Sequence, residues 1–88
     1  MSTIVDIYLA PSSNHVGVSA EIKTRFGARL RALRASRGWT QAEMADLLAI
    51  NRGYLSQLET GQRDPSLTVL QTLADGLSIT LSHLLKGL

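Results

Sequence analysis

Four small or polar residues between positions 52 and 57 have the side chains best suited to bind another molecule. At about 100° per residue they fall on one half of a helical wheel, and we call them the reading surface. They are Arg52, Gly53, Ser56 and Gln57. In a DNA major groove arginine pairs with guanine and glutamine with adenine, and a glycine lets the backbone come close. The pattern predicts a surface that reads bases; the alternative interpretation is an ordinary solvated helix face.

The helix that carries the reading surface has clear limits in the sequence. Asn51 is a good N-cap and Gly61 a left-handed stop, so the helix covers about residues 52 to 60. Leu55 and Leu58 lie on the half of the wheel opposite to the reading surface. We therefore expect this helix to pack one side against the protein and to present the other.

A second helix comes directly before it. Thr40 and Glu43 have the spacing of a capping box, which starts a helix at residue 41 that runs to about residue 48. Only Ala49 and Ile50 separate this helix from the cap Asn51. So short a connection forces the two helices to cross steeply, in the manner of a helix-turn-helix motif.

Three more helices complete the predicted fold, each with apolar residues at helical spacing on one face. These faces are Ile22, Phe26, Leu30 and Leu33 in a helix over about residues 19 to 37; Leu67, Leu70, Leu73, Ala74 and Leu77 after the cap Ser66; and Leu81, Leu84 and Leu85 after the cap Thr80. No segment of the helical region is typical of a strand. The predicted fold class is therefore all-α, a compact five-helix bundle.

Residues 1–18 differ from the rest of the chain. A β-branched and aliphatic run covers residues 3–10 and is interrupted by Pro11. We interpret this segment as an N-terminal arm that is either disordered or forms a strand with a partner's arm, because a lone strand leaves its backbone groups unpaired. Residues 19–88 are then the one folded domain.

Length and composition limit the class of protein. The chain has 88 residues, of which 44% are hydrophobic, and no cysteine, which excludes a disulfide framework and a thiolate metal site. No apolar stretch approaches the roughly 20 residues of a membrane-spanning helix. The apolar run near the start has no positive segment before it, which argues against a secretory signal. We expect no membrane association and a cytoplasmic location.

Positive charge is concentrated in the first predicted helix. Six of the nine Lys and Arg residues lie there: Lys23, Arg25, Arg29, Arg31, Arg34 and Arg37. The cluster predicts an electropositive face, for which nucleic acid is the first polyanion to consider. The alternative is a solvated helix face without a ligand.

Patterns for catalysis and metal binding are absent from the sequence. His15 and His83 lack a spaced set of histidine or carboxylate partners. Ser82 lacks the glycine elbow that activates a nucleophilic serine. We expect no metal, no cofactor and no small-molecule ligand, and we do not expect an enzyme.

Three segments carry a resemblance to a known family: TQAEMA at the start of the second helix, LSQLETG at the end of the third, and PSLTVLQTLADGL in the fourth. Over about residues 22 to 86 the chain resembles the Cro/repressor, or XRE, family of helix-turn-helix DNA-binding proteins. The resemblance implies a fold of the phage-repressor DNA-binding type. It further implies that the third helix enters the major groove of double-stranded DNA and that the protein binds as a homodimer.

Site residues follow from the helical wheel and the resemblance together. The bases are assigned to the reading surface: Arg52, Gly53, Ser56 and Gln57. Phosphates are assigned to Thr40 and Gln41 at the start of the second helix and to Arg63 in the loop after the third. Tyr54 either gives its hydroxyl to a phosphate or packs against the second helix. Arg34 and Glu59 match a family pair that forms an internal salt bridge, which would remove Arg34 from the DNA-binding charge.

Two positions depart from the family pattern. Ala49 and Ser78 stand where the family often has the glycines that end the second and fourth helices. A left-handed conformation at either residue would cost on the order of 1 kcal/mol.

The sequence therefore predicts a transcriptional regulator, such as a repressor or a small controller protein. We expect a homodimer on a palindromic operator, paired through Leu81, Leu85 and Leu88 of the fifth helix or through the N-terminal arm. The alternative is a helix-turn-helix fold used as a protein-interaction module, for example in an antitoxin or an adaptor.

Overall fold

The computed structural model describes the backbone of residues 15–88 and the side chains of residues 21–88. Its five α-helices are α1 (His15–Ser36), α2 (Gln41–Leu48), α3 (Arg52–Glu59), α4 (Leu67–Gly76) and α5 (Leu81–Leu84). Residues 15–88 contain no strand. The all-α, five-helix fold class is confirmed.

The N-terminal end of α1 differs from the expectation. The arm was predicted over residues 1–18, of which residues 1–14 lie outside the described residues. Helix α1 begins at His15 rather than near residue 19. The apolar periodicity that predicted α1 begins only at Ile22. A helix can continue beyond the residues whose apolar spacing marks it, since each added residue gains one backbone hydrogen bond.

Local capping starts each of the four later helices where the sequence places it. The Thr40 hydroxyl accepts the Glu43 amide at 3.0 Å, and the Glu43 carboxylate accepts the Thr40 amide at 2.8 Å, which confirms the capping box. The side chains of Asn51, Ser66 and Thr80 accept an amide in the first turn of α3, α4 and α5 respectively. Each cap satisfies a donor that the helix itself leaves unpaired.

The core lies between α1, α2, α3 and α4, and α5 closes it against α4. Its buried apolar side chains are Phe26, Leu30, Leu33, Met44, Ala45, Leu48, Leu55, Leu58, Leu73, Ala74, Leu77 and Leu84. Two residues predicted on apolar faces are exposed instead, Ile22 at 39% and Leu67 at 72%. Leu67 has nearly the same direction on the wheel as the buried Ala74, so helical spacing alone does not account for its exposure at the first residue of α4.

Close contact between α1 and α3 depends on Gly27. A Cβ atom on this residue would lie 2.4 Å from the main-chain oxygen of Glu59 and 2.6 Å from that of Leu58. These are backbone atoms that cannot rotate away. The position therefore admits no side chain, and it fixes the distance between α1 and the end of α3.

The turns after α2 and α4 hold non-glycine residues in the left-handed conformation. Ala49 has φ of 56° and Ser78 has φ of 58°. Both are exposed residues that end a helix, as Gly38 (φ 72°) does after α1. Ala49 and Ser78, the two departures from the family pattern, thus both adopt the left-handed conformation. Each therefore carries the free-energy cost of that conformation at a non-glycine residue.

Replacing Ala49 or Ser78 by glycine is expected to raise the free energy of unfolding by about 0.5–1 kcal/mol each, because glycine adopts positive φ without strain. Urea denaturation followed by circular dichroism measures the change. The matched control is Ala42→Gly in the exposed side of α2, which should lower the same free energy by about 1 kcal/mol. Loss of stability at all three positions would show that the turns are unstrained.

Candidate nucleic-acid interface

The turn between α2 and α3 holds the two helices as one unit. The Ile50 amide donates to the Ala45 carbonyl at 2.9 Å, and the Ala49 amide donates to the Asp46 carbonyl at 3.2 Å. Ala45 is buried where the helices cross, and its small side chain permits their close approach. Ile50 packs against the core. The orientation of α3 relative to α2 is thereby fixed through both backbone and side chains.

The reading surface lies on the side of α3 that faces away from the core. Arg52 and Gly53 are exposed and Ser56 and Gln57 are half-buried, whereas the leucines on the opposite side of α3 are fully buried. The structure thus brings the four predicted residues together on one outward face. No large apolar side chain of α3 belongs to that face, and a Cβ atom on Gly53 would meet only the Asn51 side chain.

Arg63 folds back from the loop after α3 onto the end of the reading surface. Its Nε donates to Gln57 Oε1 at 2.7 Å. Its guanidinium carbon lies 5.6 Å from the centroid of the Tyr54 ring, within the range of a cation–π contact. Tyr54 is half-buried and packs against the core, so its ring is a fixed platform for this arginine.

An ion pair between α1 and α3 anchors the last residue of α3. Arg34 Nε donates to Glu59 Oε2 at 2.6 Å and Arg34 Nη2 donates to Glu59 Oε1 at 3.0 Å, a two-pronged contact. The Arg34 Nη1 group also donates to the Trp39 carbonyl at 2.8 Å. The Glu59 side chain is only 2% exposed. Arg34 is therefore used inside the fold, where the family resemblance places it.

Gln41 is directed inward rather than towards solvent. Its Nε2 donates to Glu59 Oε1 at 2.9 Å, which ties α2 to the same carboxylate. The group available to a phosphate at this end of α2 is therefore the main-chain amide, since the first amides of a helix have no intrahelical partner. Thr40 keeps its hydroxyl proton for another acceptor while its oxygen caps α2.

The protonation of Glu59 follows from these contacts. Burial raises the pKa of the Glu59 carboxyl, but hydrogen bonds from Arg34 and Gln41 and the positive charge of Arg34 act in the other direction and outweigh it. The net result is a pKa below the ordinary value of 4.5. Glu59 is thus a carboxylate at neutral pH, and α1, α2 and α3 converge on a full negative charge.

The electropositive face predicted for α1 stays a prediction, and several of its arginines also make contacts within the fold. Arg25 donates to the Leu88 carbonyl at 2.7 Å, Arg29 donates to the His83 carbonyl at 2.6 Å, and Arg37 donates to the Leu77 carbonyl. Together with Arg34, these arginines account for four of the six basic residues between positions 23 and 37. Helix ends leave carbonyls unpaired and carry partial negative charge, which explains why arginines bind them.

Two features of the site had no signal in the sequence. The need for glycine at Gly27 comes from carbonyls of α3, and the arginine contacts of α1 go to main-chain oxygens near α4 and α5. Main-chain oxygens occur at every residue, so no residue type marks these partners. Only the packing of the helices shows them.

Fold and site define a class of protein: a helix-turn-helix domain whose second helix in the motif, α3, presents a polar outward surface. A family model described as a helix-turn-helix domain matches residues 25–85. The chain is 38% identical to the control protein C.MunI from a Mycoplasma species over 69 residues, which are 77% of this chain and 93% of that protein.

Longer relatives and solved structures agree with this class. The prophage-derived regulator YonR of Bacillus subtilis is 40% identical over 62 residues, 70% of this chain and 57% of the relative. The regulator DdrOP3 of Deinococcus deserti is 46% identical over 59 residues, 67% of this chain and 46% of the relative. The chain thus spans about half the length of these two regulators.

Two crystal structures superpose well. One is the restriction-modification controller protein C.AhdI from Aeromonas hydrophila, with a TM-score of 0.69 and 38% identity over 74% of this chain and 97% of that one. The other is the clp gene regulator ClgR from Corynebacterium glutamicum, with a TM-score of 0.69 and 33% identity over 73% and 82%. The chain belongs to the helix-turn-helix family of the Cro/repressor type, a family of transcriptional regulators and not of enzymes.

The part of the chain that the structure describes includes no helix with the length and apolarity needed to cross a membrane.

Glu59→Gln is expected to lower the free energy of unfolding at neutral pH by about 3 kcal/mol, because it leaves the half-buried Arg34 without its counter-charge. Since the folded-state pKa of Glu59 is lowered, its contribution is complete above the ordinary value of 4.5 and is lost as the pH falls through the folded-state pKa. The difference in stability between wild type and variant should therefore shrink in acid.

Urea denaturation at a series of pH values from neutral to about pH 3 measures this difference. Asp46→Asn, an exposed change on α2, serves as the control and should stay within about 0.5 kcal/mol of wild type. A gap for Glu59→Gln that is constant across the whole series would contradict the assigned role of the carboxylate.

Proposed function

We propose that this chain is a sequence-specific transcriptional regulator that binds double-stranded DNA as a homodimer. The observation that carries the proposal is the outward face of α3, which combines hydrogen-bonding side chains with a rigid attachment to the core. An α-helix of this kind fits the major groove of B-DNA, where each base pair presents a distinct set of donors and acceptors. Small controllers and repressors are among the family members that match this chain.

The base contacts are assigned to the reading surface. Arg52, in the first turn of α3, is exposed and suits guanine, which offers two acceptors to a guanidinium. Ser56 and Gln57 supply further hydrogen bonds one turn along. Gly53 lets the backbone of α3 come close to the groove, because no side chain projects from that point.

The phosphate contacts flank this surface on two sides. At the start of α2, Thr40 and the main-chain amide of Gln41 offer donors, and the positive end of the helix dipole attracts a phosphate. Tyr54, in the first turn of α3, offers its hydroxyl, and Arg63, in the loop after α3, offers its charge. Contacts of this type position the reading helix and carry no sequence information themselves.

A second copy is proposed to bind at an apolar groove between α1 and the end of the chain. The groove has a volume of about 360 Å³. Its lining residues are Ile22, Lys23, Phe26, Asp64, Pro65, Leu70, Leu85 and Leu88. Two of them, Leu85 and Leu88, belong with Leu81 to the apolar set predicted for the dimer, although the structure ends α5 at Leu84 and places both residues after it. In a two-fold contact each groove meets its own copy, and Lys23 can then face the partner's Asp64, which suits an isologous interface.

Selection of bound duplexes from a random library tests the function directly. We expect a palindrome whose half-sites are one helical turn apart, about 34–36 Å, because two copies of α3 enter successive major grooves. Binding should be at least ~1,000-fold tighter than to a scrambled duplex. The double variant Arg52→Ala and Gln57→Ala should lose this preference while its thermal unfolding stays that of a folded domain.

Equal binding to both duplexes, or none, would contradict the proposal. It would instead favour the protein-interaction alternative, in which the helix-turn-helix fold docks on another protein.

The dimer surface is tested by charge insertion. Leu85→Asp and, separately, Leu88→Asp should shift the protein from dimer to monomer, because a carboxylate in an apolar interface has no partner. Sedimentation equilibrium measures the mass, and circular dichroism establishes that each variant is folded. The control is Leu47→Asp, at a leucine of α2 that is 63% exposed and outside this groove. If Leu85→Asp and Leu88→Asp both remained folded dimers, the dimer interface would have to lie elsewhere on the protein.

A further inference from the structure

The side-chain amide of Gln57 is already bound on one side in the free protein. Arg63 Nε donates to Gln57 Oε1 at 2.7 Å, and the same guanidinium lies over the Tyr54 ring. Tyr54 and Gln57 are three residues apart on α3 and are therefore neighbours on the helix surface. Arg63 thus contacts two adjacent side chains of the reading helix and is held by both.

The chemistry of the two groups allows only one orientation of the amide. A guanidinium carries donors and no acceptor, so Gln57 must turn its oxygen towards Arg63 and its nitrogen away. The reverse orientation would bring N–H groups against N–H groups. Because one partner is charged, the hydrogen bond is stronger than a neutral one. Arg63 takes one of the two lone pairs of the amide oxygen and sets its direction, whereas the Nε2 group keeps both of its protons for a base.

The path of the chain between Gln57 and Arg63 is fixed by further hydrogen bonds. The Thr60 hydroxyl donates to the main-chain oxygens of Ser56 and Gln57, at 3.1 and 3.3 Å. Gln62 Nε2 donates to the Thr60 hydroxyl oxygen at 2.8 Å. Arg63 is therefore held within reach of Gln57 by the turn that ends α3.

We propose that Arg63 is a positioning residue that makes Gln57 read guanine instead of adenine. The inference rests on the proposed function. To pair with adenine, a glutamine accepts from the N6 amino group and donates to N7, and this uses its oxygen. With that oxygen bound to Arg63, Gln57 donates to N7 and O6 of guanine, which are both acceptors. The neighbouring positive charge adds to the preference, since it attracts the guanine edge and repels the adenine amino group.

Duplex selection with three proteins tests the assignment. Wild type gives the operator, and Gln57→Ala identifies the base pair that Gln57 reads, because the preference at that position disappears. In wild type we expect guanine over adenine there by roughly tenfold. In Arg63→Met the oxygen is released, so the ratio of the two affinities should shift towards adenine by at least about tenfold.

The control is Lys86→Met, which removes the same charge from an exposed position after α5 and should leave the base preference unchanged. A second readout needs no DNA: the side-chain amide NMR signals of Gln57 should shift in Arg63→Met and not in Lys86→Met.

Three results would overturn the inference while leaving the proposed function intact: adenine preferred by wild type at the Gln57 position, a uniform loss of affinity in Arg63→Met with the preference unchanged, or unchanged Gln57 amide signals in that variant. The uniform loss is the behaviour of a residue that contacts only phosphate. A wild-type protein that enriches no duplex would contradict the proposed function itself, and the inference with it.

Discussion

The carboxylate of Glu59 is the constraint on which the geometry of this molecule depends. It is buried at the last residue of α3 and accepts hydrogen bonds from Arg34 of α1 and Gln41 of α2. A buried charge without such partners is costly, so an arrangement in which any of the three helices slides or rotates is strongly disfavoured. Gly27 acts in the same place by steric means, since it lets α1 contact the backbone of α3. Charge and shape together set the direction in which the reading surface points.

Several basic side chains of this chain also make contacts within the fold. Arg29 and Arg37 donate to carbonyls near the ends of α5 and α4, whereas Arg34 pairs with the Glu59 carboxylate. A hydrogen bond to a neutral carbonyl leaves the guanidinium charge in place, so Arg29 and Arg37 still contribute to the positive potential of the domain. In the proposed regulator that charge would position the protein on DNA, and discrimination between sequences would rest on base contacts such as that of Gln57.

What the sequence could predict was local in origin. The cap at Asn51, the left-handed stop at Gly61 and the apolar spacing of the helices involve residues within about four positions of each other, and such signals are readable without a fold. The exposure of Leu67 and the inward direction of Gln41 depend on what another helix places nearby, and no pattern records that. The same holds for the contact between Arg63 and Gln57, because the sequence does not distinguish a loop arginine that binds a phosphate from one that binds a neighbouring amide.

Helix α1 ties the other helices into one stiff body. It packs on α3, Arg29 donates to the His83 carbonyl of α5, and Arg37, directly after α1, donates to the Leu77 carbonyl after α4. A dimer built from two such bodies would hold its two copies of α3 at a nearly fixed relative orientation. Each base pair inserted between half-sites rotates one of them by about 34–36° around the DNA axis. In the proposed dimer a stiff body of this kind would not absorb that rotation, so the spacing between half-sites would determine binding as much as their bases do.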